Sequence, residues 1–261
     1  MAALLAVLAG AEVLSLLEAG GVRPLRWVVH TGTVMVMLAT GVPILWSDYP
    51  ADHPLGQLGW TLSALSLSAI LAFTAEMWRF QKPGAATANV AASIFAVSYV
   101  GLLMSFLTAL RLLGDNSWGL AALVSVISVA KIADMGAFAV GRLLGRHKMA
   151  PLISPGKTTE GALGGLVAAC LGSYVVFAVV DGLLEPHTAG SLQWGWIVYG
   201  LVVGLAGMLG DLAESLLKRD AGRKDSSQWL PGLGGVLDIL DSILFAAPVA
   251  YVCWIIGLVG P

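Results

Sequence analysis

Charge is scarce in this chain. Only 11% of its 261 residues are Asp, Glu, Lys or Arg, while 57% are hydrophobic. An ordinary soluble domain carries roughly a quarter charged residues, so a water-soluble globule is excluded and a lipid bilayer is the solvent the composition fits. Cysteine is nearly absent as well. Cys170 and Cys253 both lie in long apolar runs, which leaves no disulfide framework and no Cys/His spacing for a metal. Residues 1–11 hold no Lys or Arg, so the start lacks the basic region of a cleaved leader. Repeats, low-complexity stretches and soluble domains are missing too; the longest polar loop covers residues 141–160. The net charge of -2 says nothing about nucleic acid or acidic partners, because the charges are informative through their positions.

What the chain does have is a series of charge-free stretches. Crossing ~30 Å of hydrocarbon takes roughly 20 helical residues. Residues 27–47, 54–75, 86–110, 161–180, 188–210 and 242–261 contain no Asp, Glu, Lys or Arg. A further span at 117–140 carries Lys131 and Asp134, and another at the N-terminus carries Glu12. The expected fold is all-α, a polytopic membrane bundle of about eight transmembrane helices. It divides into N-terminal membrane helices, 1–115, and C-terminal membrane helices with cytoplasmic loops, 116–261, within a single membrane domain.

The loops set the orientation, since cytoplasmic loops collect Lys and Arg. Arg23 and Arg26, Arg79 and Lys82, then Arg142, Arg146, Lys148 and Lys157, then Lys218, Arg219, Arg223 and Lys224 fall in loops one, three, five and seven. The even loops hold Arg111 with Asp48, Asp52, Asp115, Asp181 and Glu185. The odd loops are therefore expected at the cytoplasmic face. Both ends of the chain then lie outside, an arrangement that suggests a helix upstream of residue 1.

A carboxylate inside a span costs about 2.5 kcal/mol or more and calls for a local reason. Glu12 stands alone in a weak helix. Asp134, Asp211, Glu214, Asp238 and Asp241 instead converge at one depth beside loops five and seven. Asp211, Glu214, Ser215 and Lys218 share one helix face at i, i+3, i+4 and i+7; Asp238 and Asp241, three apart, share another. Clustered carboxylates repel unless a cation sits among them, and an all-oxygen set favours Mg²⁺ with a phosphate-bearing substrate. Structural ion pairs with Lys131, Lys218 and Arg219 are the competing explanation.

Loop five supplies His147, Lys148, Ser154, Gly156, Lys157 and Thr158, donors suited to phosphate oxygens. Its Gly-Lys-Thr is not a P-loop, because the motif requires glycine where Pro151 stands and a strand ahead of it. Basic loops also arise from topology alone or from attraction to anionic headgroups. The pairs Gly141/Gly145 and Gly161/Gly165 have small-xxx-small spacing and are ascribed to helix packing.

Two motifs go further. Ser215-Leu-Leu-Lys218-Arg219, followed by Lys224-Asp225, Pro231-Gly232, Gly234-Gly235, Asp238 and Asp241-Ser242, resembles the signature of phosphatidate cytidylyltransferases, the CDP-diacylglycerol synthases. A second stretch resembles the same family's other shared segment: Asp134 through Gly141, then Gly145-Arg-His-Lys148, Pro151 and 153–161, which includes Ser154, Lys157, Thr158 and Glu160. The resemblance covers roughly residues 90–261. Two positions depart from it: Leu233 replaces the usual histidine and Ile239 the usual arginine.

The resemblance implies an all-helical membrane fold with a polar cavity open to the cytoplasm, in the cell inner membrane. It implies transfer of the cytidylyl group of CTP to phosphatidic acid in phospholipid biosynthesis, with release of pyrophosphate. Asp211 and Asp238 are the implied cation ligands, Mg²⁺ the implied cofactor, and a monovalent ion such as K⁺ is left open beside it. Asp241 and Lys218 join Asp211 and Asp238 as expected catalytic residues. Expected substrate contacts are Ser154, Lys157, Thr158, Glu160, His147, Lys148, Ser215, Arg219, Lys224, Asp225, Asp134 and Lys131. The partners are CTP, phosphatidic acid and membrane lipid, with no nucleic acid and a homodimer left open. Competing functions are a CTP-dependent polyprenol kinase, a transporter and a silent scaffold; intramembrane acids gathered at one face instead of the midplane weigh against transport.

Overall fold

A computed structural model describes residues 1–45, 56–114, 116–183, 194–227, 229 and 234–259. Asp48, Asp52, Asp115, Glu185 and Leu233, all named above, lie outside the described residues. The described chain is helical apart from one hairpin: α1 (Ala2–Ala19), α2 (Arg26–Thr40), α3 (Val42–Leu45), α4 (Gly56–Arg79), α5 (Ala86–Ala96), a π-helical segment (Val97–Leu102), α6 (Leu103–Arg111), α7 (Asn116–Leu144), strands β1 (Lys148–Ala150) and β2 (Ser154–Thr158), then α8 (Thr159–Leu183), α9 (Gly195–Asp220) and α10 (Val236–Ile255). Seven of these helical stretches are long and apolar enough to cross a bilayer, which makes this an integral membrane protein.

The helices overrun the charge-free windows. α9 continues ten residues past 210, and α10 begins six residues before 242. A window cut at the first charge stops short of the helix, because polar residues near a span end find partners or water there. The exception is the second predicted span. α2 ends at Thr40, the Gly41 N–H turns back to Leu38 O at 3.0 Å, and Pro43 has no N–H with which to continue the ladder. That stretch becomes a fifteen-residue helix followed by the short α3.

The chain forms two compact units: Met1–Ala109 with Leu217–Ile239, and Leu110–Leu216 with Leu240–Pro261. In the first, Val28, Ala72, Ala75 and Val90 pack α2, α4 and α5 together. The π-helical segment meets α2 closely: a Cβ on Gly101 would lie 3.2 Å from Thr33 Cα. Polar links tie the loop after α1 to α5, with Arg23 N donating to Asn89 Oδ1 at 3.0 Å and Asn89 Nδ2 donating to Glu76 Oε1 at 2.9 Å.

In the second unit α7 and α8 run against each other through small residues, the packing mode of helices that gain nothing from burying apolar area away from lipid. A Cβ on Gly136 would lie 2.3 Å from Ala168 Cβ, and one on Gly161 would lie 3.0 Å from Gly141 Cα. Tyr199, fully buried, shares a 2.7 Å hydrogen bond with Ser125, whose hydroxyl also receives Trp254 Nε1 at 3.3 Å. Phe177 closes this aromatic core with its ring centroid 5.2 Å from that of Tyr199. The predicted polar loop 141–160 is shorter than expected. α7 runs on to Leu144, and β1 pairs antiparallel with β2, Lys148 opposite Thr158 and Ala150 opposite Ser154.

Candidate functional site

The acids of the second unit come together as their helical spacing requires. Asp211 and Glu214, three residues apart on α9, and Asp241 on α10 each offer a carboxylate oxygen within 4.8 Å of the others. Glu214 is fully buried and Asp241 nearly so. Three carboxylates this close in a poorly solvated place repel one another, and the set is all oxygen. It could hold a hard metal ion.

Cations flank the cluster. Lys157 Nζ, from β2, is 2.7 Å from Asp211 Oδ2. Lys131 Nζ stands 3.9 Å from Asp241 Oδ1 and 3.4 Å from Asp134 Oδ2. The Ser242 hydroxyl joins this second group, accepting from Lys131 at 2.9 Å and donating to Asp134 at 2.9 Å. Ser215 Oγ donates to Asp211 Oδ1 at 3.4 Å. Asp134 and Lys131, placed among the substrate contacts from the sequence, therefore form a polar link across α7 and α10.

A cavity of about 330 Å³ opens beside Asp211, its walls drawn from α7, the hairpin, α8 and α9. Ala137, Phe138, Met149 and Met208 give it apolar sides; Ser154, Lys157, Thr158 and Arg142 give it donors. In the sequence Arg142 has only a place in a basic loop, yet it lines this cavity with its guanidinium 5.9 Å from the Phe138 ring centre.

The hairpin that carries Ser154, Lys157 and Thr158 is clasped at its base. Thr158 Oγ1 accepts from Gly161 N at 3.1 Å, an N-cap for α8. Glu160 accepts from Arg146 N at 3.1 Å and His147 N at 3.2 Å, and its other oxygen is 2.6 Å from His147 Nδ1. His147 and Glu160, expected at the substrate, thus hold each other. Lys148 is exposed on β1. Glu160→Ala is expected to speed amide exchange at Arg146 and His147 roughly tenfold, as the loss of a charge-assisted hydrogen bond predicts. Exchange followed by mass spectrometry checks this, with Glu160→Gln as the smaller perturbation.

Asp238 belongs to the first unit. Its carboxylate accepts from Lys218 Nζ at 2.7 Å and Gly235 N at 2.7 Å, and Ser226 Oγ, whose one proton is shared with Glu12, lies 2.7 Å away. Arg219 donates to Arg223 O at 3.2 Å, while Lys224 and Asp225 are exposed on the loop and Ile239 is partly exposed on α10. Glu12 does not stand alone, as its sequence setting suggested. It is buried at 6% exposure and accepts from Ser226 Oγ at 2.8 Å, Ser227 Oγ at 2.7 Å, Val236 N at 2.9 Å and Leu237 N at 2.8 Å. Sequence reasoning missed Ser226 and gave Glu214 no role of its own. The clue to Glu12 was a carboxylate inside a span with no visible partner; its partners lie more than 210 residues away.

A multi-span helical protein with a buried, cation-competent acidic centre beside a cavity of mixed polarity is the class that fold and site define. The chain belongs to the cytidylyltransferase family, whose sequence profile matches residues 1–256. It is 36% identical over 160 residues to a phosphatidate cytidylyltransferase of Staphylococcus saprophyticus, covering 61% of this chain and 57% of that one. A protein of the same name from Brucella suis is 38% identical over 161 residues, covering 62% and 55%. A third, from Synechocystis, is 37% identical over 204 residues, covering 66% and 64%. The chain thus spans between 55% and 64% of the length of these curated relatives. The family expected from the two motifs is the family found.

Proposed function

We propose that the protein transfers the cytidylyl group of CTP to phosphatidic acid, giving CDP-diacylglycerol and pyrophosphate, at the cytoplasmic side of the inner membrane. The observation that carries this is the acidic trio of Asp211, Glu214 and Asp241, whose Asp211 pairs with Lys157 in the wall of a cavity with apolar sides. A soluble nucleotide and a lipid phosphate need such a place, where donors meet a surface that tolerates acyl chains.

A phosphate oxygen of phosphatidic acid forms the new bond to the α-phosphorus of CTP, and the bond to the β-phosphate breaks, its electron pair leaving with pyrophosphate. The nucleophile is a phosphate monoester with a second pKa of about 6, ionised at neutral pH without a strong base. The chain's tasks are to position and to neutralise. Lys157, Arg142, Ser154 and Thr158 would hold a phosphate in the cavity they line, and Phe138 and Met149 would face its lipid stem. Asp211, Glu214 and Asp241 suit Mg²⁺ in donor type and spacing. When bound, the ion supplies charge neutralisation for the phosphates. On the strength of the family signature, Asp238 is proposed as a further cation ligand, Lys218 as a catalytic residue, and Ser215, Arg219, Lys224 and Asp225 as substrate contacts.

Purified protein incubated with labelled CTP and phosphatidic acid is expected to yield labelled CDP-diacylglycerol and pyrophosphate, to stop on chelation and to resume with Mg²⁺. Formation of CDP and a phosphorylated polyprenol in the parallel incubation, or no nucleotide consumption at all, would overturn the assignment.

A further inference from the structure

Glu12 is a buried carboxylate that the proposed reaction does not use, and its four partners all belong to the signature segment. The first turn of α10 explains why it is there. A helix begins with N–H groups that have no intrahelical acceptor, and it attracts negative charge at that end. The usual solution is a Ser, Thr, Asp or Asn side chain at the N-cap, but the residue preceding Val236 is Gly235, which has none. A side chain there would displace the clasp itself: a Cβ on Gly235 would lie 2.0 Å from Ser226 Oγ and 2.3 Å from Glu12 Oε2. The backbone turns into this approach at Gly234, whose φ is +83°, a conformation that glycine adopts without strain.

The capping is therefore divided between two carboxylates. Asp238, the third helical residue, reaches back to Gly235 N at 2.7 Å, which is the N3 half of a capping box. Glu12 takes the next two amides, Val236 and Leu237, from a helix more than 220 residues away in sequence. Ser226 stands between the two acids, within 2.8 Å of Glu12 Oε2 and 2.7 Å of Asp238 Oδ2. The remaining oxygen of Asp238 is held by Lys218 at 2.7 Å. The series Glu12, Ser226, Asp238, Lys218 is continuous, and an internal carboxylate occupies the α10 N-terminus.

We infer that Glu12 is a positioning residue, which fixes Asp238 and Lys218 for reaction through Ser226 and the first turn of α10. The inference rests on the cytidylyltransferase reading for the roles of Asp238 and Lys218, but not for the clasp itself. A carboxylate is required, because Val236 N, Leu237 N and Ser227 Oγ all donate to it, while Ser226 has a single proton to share between Glu12 and Asp238. Glutamine has the same shape and would turn an N–H group toward some of these donors.

The test uses the full chain in lipid nanodiscs with Glu12→Gln, Ser226→Ala and the double variant. Glu12→Gln is expected to lower kcat by about ten- to a hundredfold with KM for CTP changed less than about threefold, since misplacement harms the reacting geometry more than ground-state grip. The double variant is expected to lose no more than the worse single variant, because both act on one series of contacts. Amide exchange at residues 235–238 is expected to accelerate in Glu12→Gln. That arm needs no turnover, so it reads the clasp even if the enzyme assignment fails. Turnover within twofold of the parent, additive losses, or unchanged exchange would each overturn the inference. Should Glu12→Gln fail to accumulate, Ser226→Ala with Ser227→Ala removes two of the four partners and leaves the helix cap, and unchanged turnover there would overturn it equally.

Discussion

Asp211→Asn is expected to leave a folded, membrane-inserted protein whose Mg²⁺-dependent product formation has fallen about 10²- to 10³-fold, the usual scale for losing one electrostatic stabiliser of a transition state. The substitution removes one of three clustered carboxylates and also the partner of Lys157, 2.7 Å away. Its effect on stability should run the other way. Without a bound ion the three acids repel, and neutralising one relieves that repulsion. The variant is therefore expected to melt no lower than the parent when Mg²⁺ is absent. With Mg²⁺ present, the parent's melting temperature should rise through ligand linkage and the variant's should stay where it was. Thermal melts in detergent with and without Mg²⁺, set beside product assays, check both halves. A variant with near-parental synthesis and a parental Mg²⁺ shift would remove the cation from this cluster.

Much of the fold was legible because a bilayer imposes length and composition on every span, and 86–110 became a continuous helical stretch for that reason. The acids on α9 were legible too, since Asp211 and Glu214 share a face at any crossing angle. What the pattern could not convey was partner choice between helices. Asp238 and Asp241 sit three residues apart, yet Asp238 caps α10 and binds Lys218 while Asp241 meets Asp211 and Glu214. That division depends on where α10 starts, and its first amides are capped by Glu12, a contact across more than 220 positions. The hairpin was hidden for a different reason. Strands of three and five residues, the second containing Pro155 and Gly156, have no periodicity to detect. They are fixed instead by the Glu160 clasp and the Thr158 cap.

The glycines of α9 offer the most direct test of how packing sets the chemistry. A Cβ on Gly210 would lie 2.3 Å from the Asp241 carbonyl oxygen and 3.1 Å from Phe245 Cβ. Backbone cannot rotate away as a side chain can, so Gly210→Ala has to push α10 outward by about 1 Å at the residue that completes the acidic trio. A shift of that size is expected to lower kcat about a hundredfold, with a stability loss of about 1–3 kcal/mol from overpacking. Gly207, one turn earlier on the same helix, supplies the comparison: its nearest neighbours in that direction are Ser242 Cβ at 3.5 Å and Ser242 O at 3.6 Å, ordinary van der Waals separations. Gly207→Ala should retain activity within about twofold and gain up to ~1 kcal/mol in helix propensity. The same methyl group on the same helix is thus expected to be nearly silent at one position and close to inactivating three residues on. Because Gly210 has no side chain to bind substrate or ion, a large fall in kcat of the folded variant reports displacement of Asp241 and its neighbours. Equal activity in the two variants would mean that the spacing of Asp211, Glu214 and Asp241 does not govern turnover.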